Sequence, residues 1–147
     1  MPLAQLNIGM TKAPMDDPIM KGFADNLDRI NALAEESEGF IWRLTDEASN
    51  DATSIHAFDD PLLLLNMSVW KDAASLKQYV YKTDHAEFIK RRKEWFYKMD
   101  QPHMCLWYVD DGHIPTIEEA IERLEHLRKY GESEYSFTFK KLFSERT

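Results

Sequence analysis

Five side chains carry the chemistry this chain can offer to a small molecule: Asn7, Asn66, Trp70, His85 and Arg92. Asn66 and Trp70 sit in the apolar run LLLLNMSVW, Leu62 to Trp70, bounded by Asp59-Asp60-Pro61 and by Lys71-Asp72. Those bounds favour a buried strand over a helix. Alternation then turns Leu63, Leu65, Met67 and Val69 to one face and Leu64, Asn66, Ser68 and Trp70 to the other. The second face is polar and aromatic, and its polar groups need partners if buried. It looks toward the helical segment carrying His85 and Arg92, and a site is expected there. The residue types fit such a site. A neutral imidazole accepts a proton or ligates a metal, two carboxamides orient a polar edge, and a guanidinium grips a carboxylate bidentately. Each also has a plainer role. His85 can bond a neighbour at a helix start, Trp70 can pack at a sheet–helix junction, and Arg92 (or Arg91 beside it) can pair with the acidic loops.

The elements that must position these residues follow from periodicity. Leu3 to Met10 alternates as a strand, with Leu6, Ile8 and Met10 on one face and Leu3, Gln5 and Asn7 on the other. Lys12 to Pro18 is a loop. Met20, Phe23, Leu27, Ile30 and Ala34 recur at helical spacing, giving an amphipathic helix over about Ile19 to Ser37, with Gly39 as its stop. Phe40 to Thr45 is the second strand, with Phe40, Trp42 and Leu44 expected on one face. Asp46 to Pro61 is polar and acidic, a long loop or a strand extension around Ser54 to Phe58.

After the central strand, Asp72 can cap a helix bearing Leu76, Tyr79 and Val80. The spacing lapses near Tyr81 to Asp84, and Asp84 with Glu87 can cap a second helix. The inner stripe of that helix is His85, Phe88, Ile89, Arg92, Trp95, Phe96 and Met99. Met104 to Val109 is the fourth strand. Thr116 and Glu119 form a capping box for a third helical region, with Ile117, Ala120, Ile121, Leu124 and Leu127 on its apolar stripe and Gly131 at its end. The tail from Ser136 to Phe143 alternates and can add an edge strand.

The fold class is therefore α+β: a ferredoxin-like βαββαβ antiparallel sheet with an added C-terminal helix and tail, in a single domain over 1–147. Helices of such a unit cover one face of the sheet. These strands are apolar on both faces, so a second copy of the chain is expected against the other, giving a homodimer.

Composition narrows the function classes. Hydrophobic residues make up 44% of 147, enough for a core, and no run approaches a membrane span. The formal net charge of −8 disfavours nucleic acid, whose affinity comes largely from neutralising phosphates. Cys105 is the one cysteine, which rules out internal disulfides and suits a reducing, cytoplasmic setting. His56, His103 and His113 are scattered, without metal-ligand spacing, so no metal site is expected. No phosphate loop, nucleophile elbow or paired-cysteine motif is present.

The segments GFIWRL, FDDPLLLLNMSVW, the His85 stretch running to RRKEWF, and GHIPTIEEAIERLEHLRKYG with the closing FTF resemble an uncharacterised bacterial domain-of-unknown-function family over nearly the whole chain. That family is placed in the dimeric α/β-barrel superfamily, alongside antibiotic-biosynthesis monooxygenases. The resemblance implies two ferredoxin-like sheets packed face to face with helices outside. In the superfamily's haem-degrading members, an Asn on the first strand, a Trp on the third and a His on the following helix surround the cofactor. Asn7, Trp70 and His85 occupy similar elements. By that analogy His85 would ligate haem iron, Trp70 would press on the porphyrin, and Asn7 would bond near the iron-bound oxygen. Three readings stand together. The first is a small-molecule-binding protein, monooxygenase-like if an enzyme, acting on a hydrophobic or flat aromatic substrate with no required cofactor. The second is a haem-binding monooxygenase, and the third a non-catalytic dimeric binding or assembly protein.

Overall fold

A computed structural model describes residues 1–14, 16–44, 63–82, 90–99 and 101–139, the side chains of Lys82 and Arg92 excepted. Four strands are β1 (Leu3–Met10), β2 (Phe40–Arg43), β3 (Leu63–Trp70) and β4 (Met104–Tyr108). Four helices are α1 (Lys21–Glu36), α2 (Ala73–Lys82), the single turn α3 (Arg92–Trp95) and α4 (Ile117–Tyr130). The strands form one antiparallel sheet in the order β2-β3-β1-β4. None of the described helices is long and apolar enough to cross a membrane.

The central pair is β1 with β3, in register from Leu3 opposite Trp70 to Met10 opposite Leu63. Side chains alternate across the pleat, so this register sorts the two strands into two faces. Ala4, Leu6, Ile8, Leu65, Met67 and Val69 join one core cluster; Leu3 and Trp70 join another with Ile30, Leu76 and Tyr79. The second face is roofed by α1 and α2. Asp72 starts α2 by accepting from the Ser75 N–H at 2.8 Å, a bond that lowers the carboxyl pKa. Helix α1 begins later than its apolar spacing implies. A 3₁₀ turn, Pro18–Met20, comes first, fixed by Pro18 and by the Asp17 side chain accepting from the Ile19 N–H.

The first face is not bare. Helix α4 lays Ala120, Leu124 and Leu127 onto the Ala4–Leu6–Ile8 side, together with Cys105 and Trp107 from β4. Met67 and Val69 are 1% exposed within the single chain. The C-terminal helix of the same chain thus covers this face over β1 and β4, where a second copy is expected from the sequence. Its placement is encoded locally. The Thr116 hydroxyl accepts from the Glu119 N–H at 3.1 Å, and Gly131 closes the other end at a positive φ of 80°. Glu119 then reaches back to the sheet, accepting from the Trp107 indole N–H at 2.8 Å.

Three further expectations change in detail. In β2 a register shift falls between Phe40 and Trp42, so Ile41 is bulged out and the simple alternation breaks. Phe40 packs edge-on against Trp70 while Trp42 and Leu44 join the opposite cluster, instead of all three sharing a face. The predicted helix running to Met99 ends at Trp95, and Phe96 leaves it to bridge Thr11 beyond the end of β1. Backbone bonds from Lys12 N–H to the Trp95 carbonyl and from Tyr97 N–H to the Met10 carbonyl hold it there. The tail contributes a single bridge to the sheet edge, Leu106 with Phe137, within the described residues. The acidic 46–61 segment and the Asp84–Glu87 cap lie outside them.

Seating of α4 on the sheet predicts that Leu124→Ala, which empties a side chain 1% exposed, destabilises the chain by about 2–5 kcal/mol. Urea unfolding measures it. A loss below about 0.5 kcal/mol, the level of a surface substitution, would contradict the placement.

Candidate functional site

Between the sheet and its α1–α2 roof lies a cleft of about 350 Å³, within the ~300–1,000 Å³ range of small-molecule sites. Its floor is built from same-parity positions on neighbouring strands. Arg43 stands opposite Ser68, Ser68 opposite Gln5, and Gln5 opposite Leu106. One pleat along, Asn66 stands opposite Asn7, and Asn7 opposite Met104. Two rows thus give a polar ridge across an otherwise apolar sheet. The walls are aliphatic and aromatic: Leu27 and Ile30 from α1, Tyr79 from α2, and Phe96 at one end.

The ridge is wired internally. The Gln5 amide donates both its hydrogens, to Asn66 Oδ1 at 2.7 Å and to Ser68 Oγ at 2.9 Å. Ser68 Oγ also accepts from the Trp70 indole N–H at 2.8 Å. A hydroxyl has two acceptor lone pairs, so Ser68 is saturated as an acceptor. Asn7 differs from its neighbours: its Oδ1 is buried and has no hydrogen-bond partner. A dry, unpaired carboxamide oxygen is unfavourable unless something meets it.

The electrostatics are close to neutral. Arg43, its side chain 7% exposed, places Nε and Nη2 at 2.9 and 2.8 Å from Glu35 Oε1, so its charge is matched at the cleft's rim. Burial pushes the Tyr79 phenol well above its ordinary value, with Arg43 pulling weakly the other way, so Tyr79 stays protonated. Its hydroxyl donates to the Ile30 carbonyl at 3.3 Å, tying α2 to α1.

The five expected residues are brought together in part. Asn7, Asn66 and Trp70 all border the cleft. Asn66 is exposed at one side, and Trp70 is 0% exposed. His85 lies outside the described residues, as does the side chain of Arg92. Arg91 pairs with Glu94 at 2.8 Å and lies over the Trp95 ring at 4.7 Å, on an exposed surface. Residues not anticipated for the site are Gln5, Arg43, Tyr79 and His103, while Ser68 lies on the face where the site was expected. Gln5 was detectable, since it shares its strand face with Asn7. Arg43 was not, because the bulge at Ile41 sets its face.

In the role the resemblance implies for it, Trp70 does not fit haem. Trp70 stacks on Tyr79 at 5.0 Å and 26°, takes Phe40 against it at 5.5 Å, and spends its N–H on Ser68. It has no face left for a porphyrin. Among the described residues no group of three or more His, Cys, Asp or Glu could hold a metal ion. Cys105 is buried beneath α4, away from the cleft, and burial pushes its thiol up to about 12. It is a packing residue, neutral and unreactive at physiological pH.

Comparison with known proteins follows the geometry. A family model described as Domain of unknown function (DUF3291) matches residues 2–147. A conserved protein from Methanosarcina mazei Go1 superposes with a TM-score of 0.55 at 16% identity, over 75% of this chain and 94% of that one. A protein of unknown function from Nitrosomonas europaea superposes with a TM-score of 0.53 at 13% identity, over 78% and 95%. At these identities the likeness is one of fold. No curated protein matches the chain.

The buried phenol predicts a pH signature. Folding holds Tyr79 protonated, so the unfolded chain releases its proton first as pH rises past about 10. Stability contributed by the phenol is complete below that pH and is lost above it. Wild type should therefore exceed Tyr79→Phe by about 1 kcal/mol at pH 8, from the bond to Ile30, with the gap shrinking above pH 10. Urea midpoints at both pH values measure it; a gap that grows with pH would contradict a neutral buried phenol.

Proposed function

We propose that this chain, which belongs to the DUF3291 family, binds a small, flat, largely hydrophobic molecule in the cleft between its sheet and α1–α2. The observation that carries this reading is the ridge of amides and a hydroxyl crossing the floor of an apolar cleft. A core evolved only for packing would carry hydrocarbon at Gln5, Asn7 and Ser68, since buried polar groups are a burden without partners. A binding site needs that combination of apolar area for affinity and few polar groups for orientation.

The polar groups at the cleft hold and orient; they are suited to positioning a molecule more than to moving its protons. A monooxygenase-type reaction, in which the protein orients a reactive substrate and shields it from water, rests on the family resemblance alone, as does the homodimer. The element order and the strand order β2-β3-β1-β4 support a ferredoxin-like reading of the sheet. With α4 over the Ala4–Leu6–Ile8 face, however, burial of those residues does not by itself call for a second copy. Sedimentation velocity at micromolar concentration separates the cases. A species of twice 17.3 kDa is the expected dimer, and a species of 17.3 kDa removes the barrel.

The cleft itself is tested with naphthalene as an apolar probe. Naphthalene should raise the thermal midpoint of the wild type, as any ligand selective for the folded state does. Leu27→Trp, which puts bulk into the cleft from the half-buried face of α1, should abolish the shift. An equal shift in the variant would place binding elsewhere. Recovery of every bound probe unchanged under dioxygen would favour the non-catalytic reading over the monooxygenase one.

A further inference from the structure

Resting on that cleft, we infer that its ligand class is an uncharged planar heterocycle with a cis-amide edge, a ring N–H beside a ring C=O, and that Asn7 reads this edge. Among the ridge side chains, Asn7 alone holds a buried polar atom without a bond. Gln5 has committed both amide hydrogens, Asn66 Oδ1 has accepted one of them, and Ser68 has accepted from both Gln5 and Trp70. Asn7 Oδ1 is buried without any bond, and Asn7 lines the cleft.

A carboxamide presents one acceptor and one donor side by side. Its best complement offers the reverse pair at the same spacing, and a cis-amide does so with two antiparallel bonds. The complement is unchanged if the Asn7 oxygen and nitrogen exchange places, since the ligand edge also carries one of each. A lone hydroxyl or a carboxylate satisfies only half of it.

Planarity follows from the wall beside Asn7. Gly9, two residues along the same face, lets the Phe96 ring come down onto the strand: a Cβ there would stand 2.6 Å from Phe96 Cδ1. Phe23 meets Phe96 edge-on at 5.3 Å and 89°, and Trp95 at 5.6 Å. A flat ring is the shape that packs against an aromatic corner of this kind. Neutrality follows from Arg43, whose charge is already met by Glu35.

The test uses the full chain and four probes: 2-quinolone, its 4-methyl and 1-methyl derivatives, and naphthalene. Titration should find 2-quinolone and 4-methyl-2-quinolone binding about 10- to 100-fold more tightly than 1-methyl-2-quinolone, which has lost the edge donor. In Asn7→Leu the two amides should fall to the level of the 1-methyl compound. If the variant does not fold, the comparison of the two methylated quinolones on wild type decides alone. Equal affinities for these two on wild type overturn the role of Asn7 while naphthalene binding keeps the cleft standing. Failure of all four probes to bind takes both away.

Discussion

Eight residues of β1 stand opposite eight of β3, from Leu3–Trp70 to Met10–Leu63. With a side-chain period of two, that single register decides both sides of the sheet. A slip by one residue would carry Gln5 and Asn7 under α4 and bring Leu6 and Ile8 to the cleft floor. The apolar residues of the Ala4–Leu6–Ile8 face penalise the slip, because it would set polar groups against Leu124 and Leu127. Packing on the α4 side thus holds the polar ridge on the other side in place.

The two sides differ in what they accept. Under α4 the core cluster is largely hydrocarbon and indole, and the Trp107 N–H is met by Glu119 from the helix itself. Under α1 and α2 the sheet carries a connected set, Gln5, Asn66, Ser68 and Trp70, whose bonds stay within the sheet instead of running to the roof. The roof is held by separate contacts, Tyr79 to the Ile30 carbonyl and the Tyr79 ring on Trp70. A floor and a roof that are satisfied independently can leave space between them without stranding most of their polar groups. Asn7 is the exception, and that is why it carries the inference about the ligand.

Much of this was legible in residue patterns. Alternation in Leu3–Met10 and Leu63–Trp70 separated the two faces, and Thr116, Glu119 and Gly131 marked both ends of α4. The polar-plus-aromatic face was identified from Asn66, Ser68 and Trp70. Less legible were the places where backbone pairing overrides periodicity. The bulge at Ile41 reverses the relation of Phe40 to Trp42, and Phe96 exchanges a helical position for a bridge to Thr11. Both changes satisfy hydrogen bonds to distant residues, which spacing along the chain does not record.

By itself the sequence determined element types, the faces of the central strands, the caps and the acidic balance, since these depend on residues within a few positions of one another. Only the tertiary structure decided that α4 covers the Ala4–Leu6–Ile8 face, that Arg43 joins the ridge, and that Asn7 alone among the ridge amides has a buried oxygen without a partner. Those outcomes turn on which groups from remote segments meet and which bonds remain unmade, and a one-dimensional pattern contains no measure of either.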